Sequence, residues 1–226
     1  MKTISTLSFM ILGIFGLFMT QCTHDDLEAL PEGFNPNPVE RGDDIVLFDN
    51  GWSFDKTHSS VRWETAYLGT AALLTGRFNE FEIEVEFDEA NPENIYVMGK
   101  VSLSTVNTGE PGRDAGCLLS TFGAEGGEPF IADEAMFESK SVVFDESDPN
   151  GYVITGDFTF HGVTEEVIMK LTYFGTDLLD LRGTPTNVAG FEGQFEINAK
   201  TVFGIESSSI SDRVVINING QFRQPQ

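Results

Sequence analysis

Few side chains in this 226-residue chain combine the types and spacing that catalysis or metal binding needs. Apart from His24, the histidines are His58 and His161, which together with a carboxylate would have the ligand types of a zinc site. They stand at unrelated turns, where a hydrogen bond to the backbone is the simpler role, so we predict no metal site. Cys117 could act as a nucleophile, but no histidine lies near it in the sequence, and we interpret it as a packing residue.

The arginine–aspartate pair Arg113-Asp114 has a different potential, because a guanidinium fork binds carboxylate and phosphate groups in a bidentate manner. The pair could contact an anionic head group, or it could form a local salt bridge or loop cap. Sequence motifs of catalytic sites are missing, since the chain has no G-x-S-x-G, H-E-x-x-H, C-x-x-C or phosphate-binding glycine loop. We therefore predict no enzyme, no catalytic residue and no cofactor.

The charge of the chain argues against one class of partner. The formal net charge is −23, from 13 basic and 36 acidic residues, and such a surface repels nucleic acid. It also repels anionic lipid head groups, but it does not limit what enters an apolar interior.

The N-terminal residues predict export and lipidation. Lys2 precedes an apolar run, 4–18, that is shorter than the ~20 residues of a membrane span. The run ends at Leu17-Phe18-Met19-Thr20-Gln21-Cys22, which resembles a bacterial lipobox, although Gln21 replaces the usual small residue. We expect a signal peptide over 1–21, a diacylated Cys22, a flexible tether over 22–44 and a folded domain over 45–226. An ordinary secretory leader is the alternative.

A period of two dominates the rest of the chain. Residues 81–87 alternate apolar side chains with glutamates, a pattern typical of a strand with one buried and one wet face. Because many half-buried strands must share one interior, and a closed barrel leaves no exposed edge, we predict an all-β, eight-stranded antiparallel barrel. The predicted strands are 60–68, 77–87, 95–105, 136–144, 151–160, 166–174, 190–200 and 212–222. Residues 113–133 are predicted to form a loop with a short helix, and 177–189 a loop.

The inward parity of these strands supplies the candidate ligand-binding residues. They are Trp63, Phe81, Val85, Val97, Val101, Ile154, Phe158, Met169, Phe195 and Ile216. An eight-stranded barrel can be filled by its own side chains or can hold one small ligand, and the sequence leaves both interpretations open. The polar residues expected at the rim are His58, Arg113, Asp114 and His161.

Several motifs resemble those of the YceI-like family and occur in the family's order over residues 52–205. They are Asp55-Lys56-Thr57-His58-Ser59-Ser60-Val61-Arg62-Trp63 for D-x-x-H-S-x-V-x-F, Gly76-Arg77-Phe78-Asn79-Glu80-Phe81 for G-x-F-x-x-F, Val106-Asn107-Thr108-Gly109 with Arg113-Asp114 for S-I-x-T and R-D, Phe137-Glu138-Ser139 for F-x-S, Thr155-Gly156 through His161-Gly162-Val163-Thr164 for T-G and H-G-V-T, and Phe203-Gly204-Ile205 for F-G-I. Each motif is weak alone, and their order makes the set specific.

The resemblance implies a lipocalin-like barrel that holds a long polyisoprenoid or similar amphiphile, and it implies no catalysis. The chain departs from the family pattern at Lys200 and Val202, where relatives often carry arginine and aspartate, and in the insertion 123–128. These departures leave the ligand and the rim contacts open.

We therefore expect a lipid-anchored protein of the bacterial cell envelope, an outer-membrane lipoprotein that faces the periplasm or the cell surface. It would sequester or carry a hydrophobic small molecule and would meet the membrane through its anchor. A filled barrel that serves as a structural or surface interaction module is the alternative. An enzyme on an isoprenoid-like substrate is less favoured, and a homodimer is left open.

Overall fold

The computed structural model of the chain describes residues 51–226 apart from positions 68, 70, 89, 121–133 and 209. The predicted signal peptide, the lipidation site Cys22 and the tether lie outside the described residues. So do the insertion 123–128 and the side chain of Cys117.

The described residues form an 11-stranded antiparallel sheet and one α-helix. The strands are β1 (Ser53–Phe54), β2 (Ser60–Tyr67), β3 (Ala72–Phe78), β4 (Phe81–Glu86), β5 (Tyr96–Ser102), β6 (Val106–Asn107), β7 (Glu134–Phe144), β8 (Gly151–Phe160), β9 (Val163–Leu181), β10 (Thr184–Asn198) and β11 (Ile210–Pro225), and the helix is α1 (Pro111–Ser120). Short 3-10 turns occupy Lys56–His58, Pro92–Asn94 and Leu103–Thr105.

The hydrogen-bonded strand order is β4-β5-β7-β8-β9-β10-β11-β2-β3-β6, and β1 pairs with β11. The prediction of an all-β antiparallel fold is confirmed, but the strand number is larger than eight. Among the described residues no ladder joins β4 to β6, so the sheet is a curled half-barrel and not the closed barrel that we predicted. Side chains bring β4 back against β11: Ile83 lies 3.7 Å from where a Cβ on Gly220 would stand.

One predicted strand, 77–87, is in fact two strands. β3 ends at Phe78 and β4 begins at Phe81, and the chain changes partner between them, from β2 to β5. Two backbone hydrogen bonds stabilise the corner, from Asn79 N to Thr105 O at 3.1 Å and from Ser102 N to Glu80 O at 3.0 Å. The buried positions change from even-numbered residues, Leu74 and Phe78, to odd-numbered residues from Phe81 onward, a break in the period that the prediction of one continuous strand overlooked.

The loop predicted at 177–189 is instead a hairpin that extends β9 and β10. Its turn is Arg182-Gly183, where both residues have positive φ, 59° and 88°, as a two-residue turn of the primed type requires. Asp180 Oδ1 accepts a hydrogen bond from Gly183 N. Leu178 is 59% exposed and Leu179 41% exposed. Because no residue of the hairpin tip, 177–185, is buried, the sequence there has no contrast between alternate positions, and we missed it.

The short helix predicted within 113–133 is confirmed as α1. No helix in the described part of the chain combines the length and the apolar character that crossing a membrane requires.

The core follows the predicted parity. Phe81, Ile83 and Val85 of β4 are buried, while the glutamates between them are exposed. Aromatic rings fill much of the interior: the Phe158 ring lies 5.2 Å from the ring of Phe195 and 5.6 Å from that of Phe203, both edge to face. Such ring pairs contribute roughly 0.5–1.5 kcal/mol each beyond the area that they bury.

Candidate functional site

An apolar cavity of about 110 Å³ lies on the concave side of the sheet. Side chains and backbone of β2–β5 and β7–β11 line it, so nearly the whole sheet contributes to one site. Apart from Lys100, the side chains of the wall with a nitrogen or oxygen atom are those of Thr65 and Trp63. The Thr65 hydroxyl is already engaged, since Oγ1 donates to Arg213 O at 2.9 Å and lies 3.0 Å from Ser211 Oγ. A site of this kind can bind hydrocarbon, but it has few groups for binding a polar molecule.

Eight of the ten residues predicted from inward parity line this cavity. They are Trp63, Val85, Val97, Val101, Phe158, Met169, Phe195 and Ile216. Phe81 and Ile154 are buried, at 7% and 0% exposure, but they do not line it. Phe81 packs instead against Phe54, with ring centroids 6.0 Å apart. Parity therefore finds the buried face, and the position along each strand decides which buried residues meet the cavity.

Several wall positions were missed because they carry no side chain. Gly99, Gly193 and Gly220 all line the cavity. Gly99 pairs with the inward residues Ile83 and Phe137, and a Cβ at Gly99 would have no heavy atom within 4 Å. The empty space thus borders Gly99. A glycine gives no hydrophobic signal, so only the register of its neighbours in the sequence could have indicated these positions.

Other missed wall residues share the inward parity of the predicted set and could have been found by extending it. They include Val61, Ile83, Phe137, Leu171, Phe191, Ile197, Val214 and Ile218.

Trp63 is a cavity residue with a buried nitrogen that forms no hydrogen bond among the described residues. The residue is 8% exposed, and the nitrogen is its Nε1. Its indole lies on Gly76, the residue opposite it on β3, where a Cβ would stand only 2.5 Å from Trp63 Cζ2. Any side chain at position 76 would collide with the indole, which explains the glycine of the G-x-F-x-x-F motif.

His58 belongs to a network of hydrogen bonds and ion pairs that joins its turn to β11. Its Nδ1 lies 2.8 Å from Oδ2 of Asp55, a carboxylate that is only 9% exposed. The same carboxylate pairs with Arg223 and accepts hydrogen bonds from Gln221 Nε2 at 3.1 Å and Thr57 N at 3.1 Å. The D-x-x-H-S motif thus ties the turn at Lys56–His58 to the end of β11.

His161 serves a second structural tie. It occupies the turn between β8 and β9 with a positive φ of 52°, beside Gly162 at 76°. Its Nδ1 lies 3.1 Å from Phe203 O, so the H-G turn holds the F-G-I segment by a side-chain hydrogen bond. Asp212 of β11 holds the turn that precedes this segment, because its Oδ1 accepts hydrogen bonds from Lys200 N at 2.7 Å and Thr201 N at 3.0 Å. These hydrogen bonds lower the pKa of Asp212, that from Thr201 N having the largest effect.

Asp114 caps a loop. Its Oδ1 accepts hydrogen bonds from Thr108 N at 2.8 Å and Thr108 Oγ1 at 2.6 Å. Arg113 donates its backbone N–H to Glu110 Oε2 at 2.8 Å. None of the four predicted rim residues lines the cavity, so their contact with a ligand stays a prediction. No group of three or more metal-ligating side chains occurs in the described part of the chain.

Sequence comparison identifies relatives over most of the domain. The model of the family described as YceI-like domain matches residues 52–222. A UPF0312 protein of Pseudomonas fluorescens is 32% identical over 144 residues, which are 62% of this chain and 69% of that protein. A UPF0312 protein of a Shewanella species is 33% identical over 149 residues, 64% of this chain and 70% of its own length.

Solved structures share the fold. The crystal structure of Burkholderia cenocepacia BcnA superposes with a TM-score of 0.61 at 19% identity, covering 75% of this chain and 99% of that one. A polyisoprenoid binding domain from Saccharophagus degradans, implicated in plant cell wall breakdown, superposes with a TM-score of 0.50 at 16% identity, covering 77% and 99%. At these identities the likeness establishes a common architecture.

Proposed function

This chain belongs to the YceI-like family, and from that premise we propose that it binds a polyisoprenoid or a similar long-chain amphiphile inside its curled sheet. The observation that carries the proposal is the apolar cavity lined by nearly every long strand. Each methylene that moves from water into such a wall contributes about 0.8 kcal/mol, so a hydrocarbon tail needs few polar contacts. The Saccharophagus domain of the same fold is described as polyisoprenoid binding, which supports this ligand class.

The size of the cavity sets a condition on the proposal. At about 110 Å³ it is smaller than an engineered apolar cavity of about 150 Å³ that admits benzene. A long tail therefore requires side chains of the wall to move apart. Met169, a flexible side chain whose sulfur would lie 3.0 Å from a Cβ on Gly193, is suited to such a movement.

The small volume also favours the alternative function, a barrel filled by its own side chains that serves as a structural or interaction module. The two functions differ in whether the interior takes up a tail when one is offered. In both, the protein acts by binding and not by catalysis.

The proposal places the protein in the bacterial cell envelope, held to the outer membrane by acylated Cys22, where it sequesters or transports its ligand. The lipobox-like Leu17–Cys22 segment supports the anchor, and the acidic chain, with a net charge of −23, supports attachment through lipid and not through anionic head groups.

The decisive experiment fills the cavity from Gly99. A Cβ at Gly99 meets no heavy atom within 4 Å, so the side chain of Gly99→Leu starts in open space and the fold should persist. It should weaken binding of a fluorescent prenyl analogue by about 1–3 kcal/mol, because tail methylenes at about 0.8 kcal/mol each are excluded. Glu84→Leu adds the same side chain on the exposed face of β4 and should bind like the parent. Circular dichroism confirms folding, and titration gives the affinities.

Native mass spectrometry of protein purified from its own host complements the titration. A co-purifying lipid that is lost in Gly99→Leu supports the carrier. If the parent binds no long-chain amphiphile in either experiment, the filled-barrel module is the better account. If parent and Gly99→Leu bind equally well, the ligand does not occupy the cavity.

A further inference from the structure

A second site lies on the opposite, outer face of the sheet. The cleft there has a volume of about 460 Å³ and is lined by Arg62, Trp63, Glu64, Thr75, Gly76, Arg77, Asn107, Thr108, Gly109 and Asn217. The strand registers place four of these residues in one row across the sheet, because Asn217 pairs with Arg62, Arg62 with Arg77, and Arg77 with Asn107. Two arginines therefore stand directly opposite each other on neighbouring strands.

This arrangement is unfavourable for the protein alone. Like charges directly opposite each other on a sheet are destabilising. Carboxylates are abundant, since the chain has 36 acidic and 13 basic residues. Five other cations of the described residues pair with them: Lys56, Lys100, Lys140, Arg213 and Arg223. In the same part of the chain, Arg62 and Arg77 form no ion pair.

Neighbouring amides hold the row in position. Arg77 Nε donates to Asn79 Oδ1 at 3.2 Å, and Asn107 Nδ2 donates to the same oxygen at 3.4 Å. At the other end Asn217 Oδ1 accepts from Gln194 Nε2 at 2.8 Å, which leaves Nδ2 as the hydrogen-bond donor of Asn217. The terminal nitrogens of both guanidinium groups and this amide nitrogen thus remain for a ligand that accepts hydrogen bonds.

The acidic residue of the cleft does not neutralise the pair. Glu64 lies two residues from Arg62 on the same face of β2, and its charge acts on Arg213, whose pKa is raised mainly by Glu196 and in smaller part by Glu64. With two arginines and one glutamate, the lining of the cleft carries a net charge of about +1 on a chain of −23.

We propose that the Arg62–Arg77 cleft is a binding site for a tetrahedral oxyanion of the phosphate type, independent of the cavity on the inner face. Guanidinium forks bind such groups in a bidentate manner, and one anion between two arginines would replace their repulsion by attraction. The group could belong to a soluble phosphate compound or to a phospholipid head group, and the chemistry of recognition is the same for both.

The test measures phosphate binding by NMR titration of the full folded domain at low ionic strength, where screening is weakest. The parent should show saturable shifts of the Arg62 and Arg77 side-chain signals and of the Thr108 and Gly109 amides. In the double variant Arg62→Gln with Arg77→Gln, the dissociation constant should rise at least tenfold. The double variant Lys170→Gln with Arg182→Gln removes the same number of charges at exposed sites outside the cleft and should bind as the parent does.

The melting temperature provides a second test, which remains informative when phosphate binds weakly. Without phosphate, Arg77→Gln alone should melt at or above the temperature of the parent, because a like-charge contact is removed. With phosphate, the parent should gain stability and Arg77→Gln should not. Equal phosphate effects on the parent and the cleft double variant would overturn the proposal.

Vesicles distinguish the two sources of the anion. Sedimentation with phosphatidic acid vesicles, absent with phosphatidylcholine vesicles and lost in the cleft variant, assigns the site to a lipid head group. Phosphate binding that the cleft variant loses, without vesicle sedimentation by the parent, assigns the site to a soluble phosphate compound.

Discussion

Trp63 brings to the cavity wall a buried nitrogen that forms no hydrogen bond among the described residues. This nitrogen, Nε1, can distinguish an amphiphile from a pure hydrocarbon. A buried donor without an acceptor costs roughly 1–3 kcal/mol. A ligand that brings a hydroxyl or carbonyl oxygen to this atom would remove that cost, which a hydrocarbon cannot do.

We predict that Trp63→Phe separates these two ligand types. Affinity for a prenol or prenylquinone should fall about fivefold, corresponding to about 1 kcal/mol for one hydrogen bond, while affinity for a hydrocarbon of the same length should hardly change. Displacement of a fluorescent prenyl analogue by each ligand measures both. An equal loss for the two ligands would mean that the indole acts through packing alone.

Asp88 is a buried carboxylate, 6% exposed, that organises the loop after β4. Its oxygens accept hydrogen bonds from Ala90 N, Asn91 N and the side-chain amides of Asn91 and Asn94. Burial by itself raises the pKa of Asp88, but these hydrogen bonds outweigh it, so the pKa lies below its ordinary value of 3.8. A lowered folded-state pKa means that the stabilising contribution is present above the unfolded pKa and is lost as the pH falls through the folded one.

The corresponding prediction concerns Asp88→Asn, which removes the charge but keeps the shape. At pH 7 the free energy of unfolding should drop by about 1–3 kcal/mol, as for a charged group with several hydrogen bonds. The difference from the parent should shrink as the pH falls below about 3.8. Urea unfolding at several pH values measures it, with exposed Glu84→Gln as the control. A difference that does not depend on pH would exclude the charge as the cause.

At the scale of the elements, glycines decide how closely strands and rings approach. Gly156 of β8 pairs with Ser139 of β7, next to the register shift between Ser139 and Ser141. A Cβ at Gly156 would lie 2.5 Å from Phe137 Cζ and 2.6 Å from the backbone oxygen of Glu138. The glycine of the T-G motif therefore admits the Phe137 ring, which faces the cavity 5.5 Å from the ring of Phe195.

Two alanine substitutions test this account as a matched pair. Gly156→Ala should lower the free energy of unfolding by about 1–3 kcal/mol, because the backbone neighbour cannot move aside. Gly99→Ala adds the same methyl group to an inward strand position with open space, and it should be neutral or stabilising by about 0.5 kcal/mol. Guanidinium unfolding followed by circular dichroism gives both values. Equal effects would show that strand propensity, and not the contact with Phe137, sets the cost.

At the scale of the whole molecule, the domain is a curled sheet whose apolar wall faces inward and whose acidic surface faces water. A domain of this kind has no means in its described surface to hold an anionic membrane by charge alone, except at the Arg62–Arg77 cleft. In the proposed function, attachment to the envelope rests on acylated Cys22. Two acyl chains are needed for stable anchoring, since one binds only marginally.

We predict that Cys22→Ala abolishes acylation and moves the protein from the membrane fraction to the soluble fraction. Metabolic labelling with a fatty-acid probe and fractionation measure the two effects. Cys117→Ala removes the other cysteine of the chain and should leave both labelling and location unchanged. Undiminished labelling of Cys22→Ala would refute the anchor.

The period-two pattern and the ordered motifs were sufficient to predict the all-β fold, the short helix, the family and eight residues of the cavity wall. The alternation of apolar and polar residues can be read directly from the sequence, so Val85, Phe158 and Phe195 could be assigned to the interior without coordinates. The same reasoning placed Glu84 and Glu196 on the wet face, where both are exposed. Local patterns of this kind survive because a strand must present one face to the core whatever its partners are.

Tertiary structure decided what parity cannot express. The open pairing between β4 and β6 and the hairpin at Arg182-Gly183 depend on which strands pair, and pairing can join residues far apart in the sequence. Gly99 has no hydrophobic signal of its own, and the fold shows it as a wall residue between its strand partners Ile83 and Phe137. For His58 and His161 the sequence suggested hydrogen bonds at turns, and the fold supplied the partners, Arg223 and Phe203, from distant segments. The juxtaposition of Arg62 and Arg77 likewise arises from strand register, a long-range property that no local pattern contains.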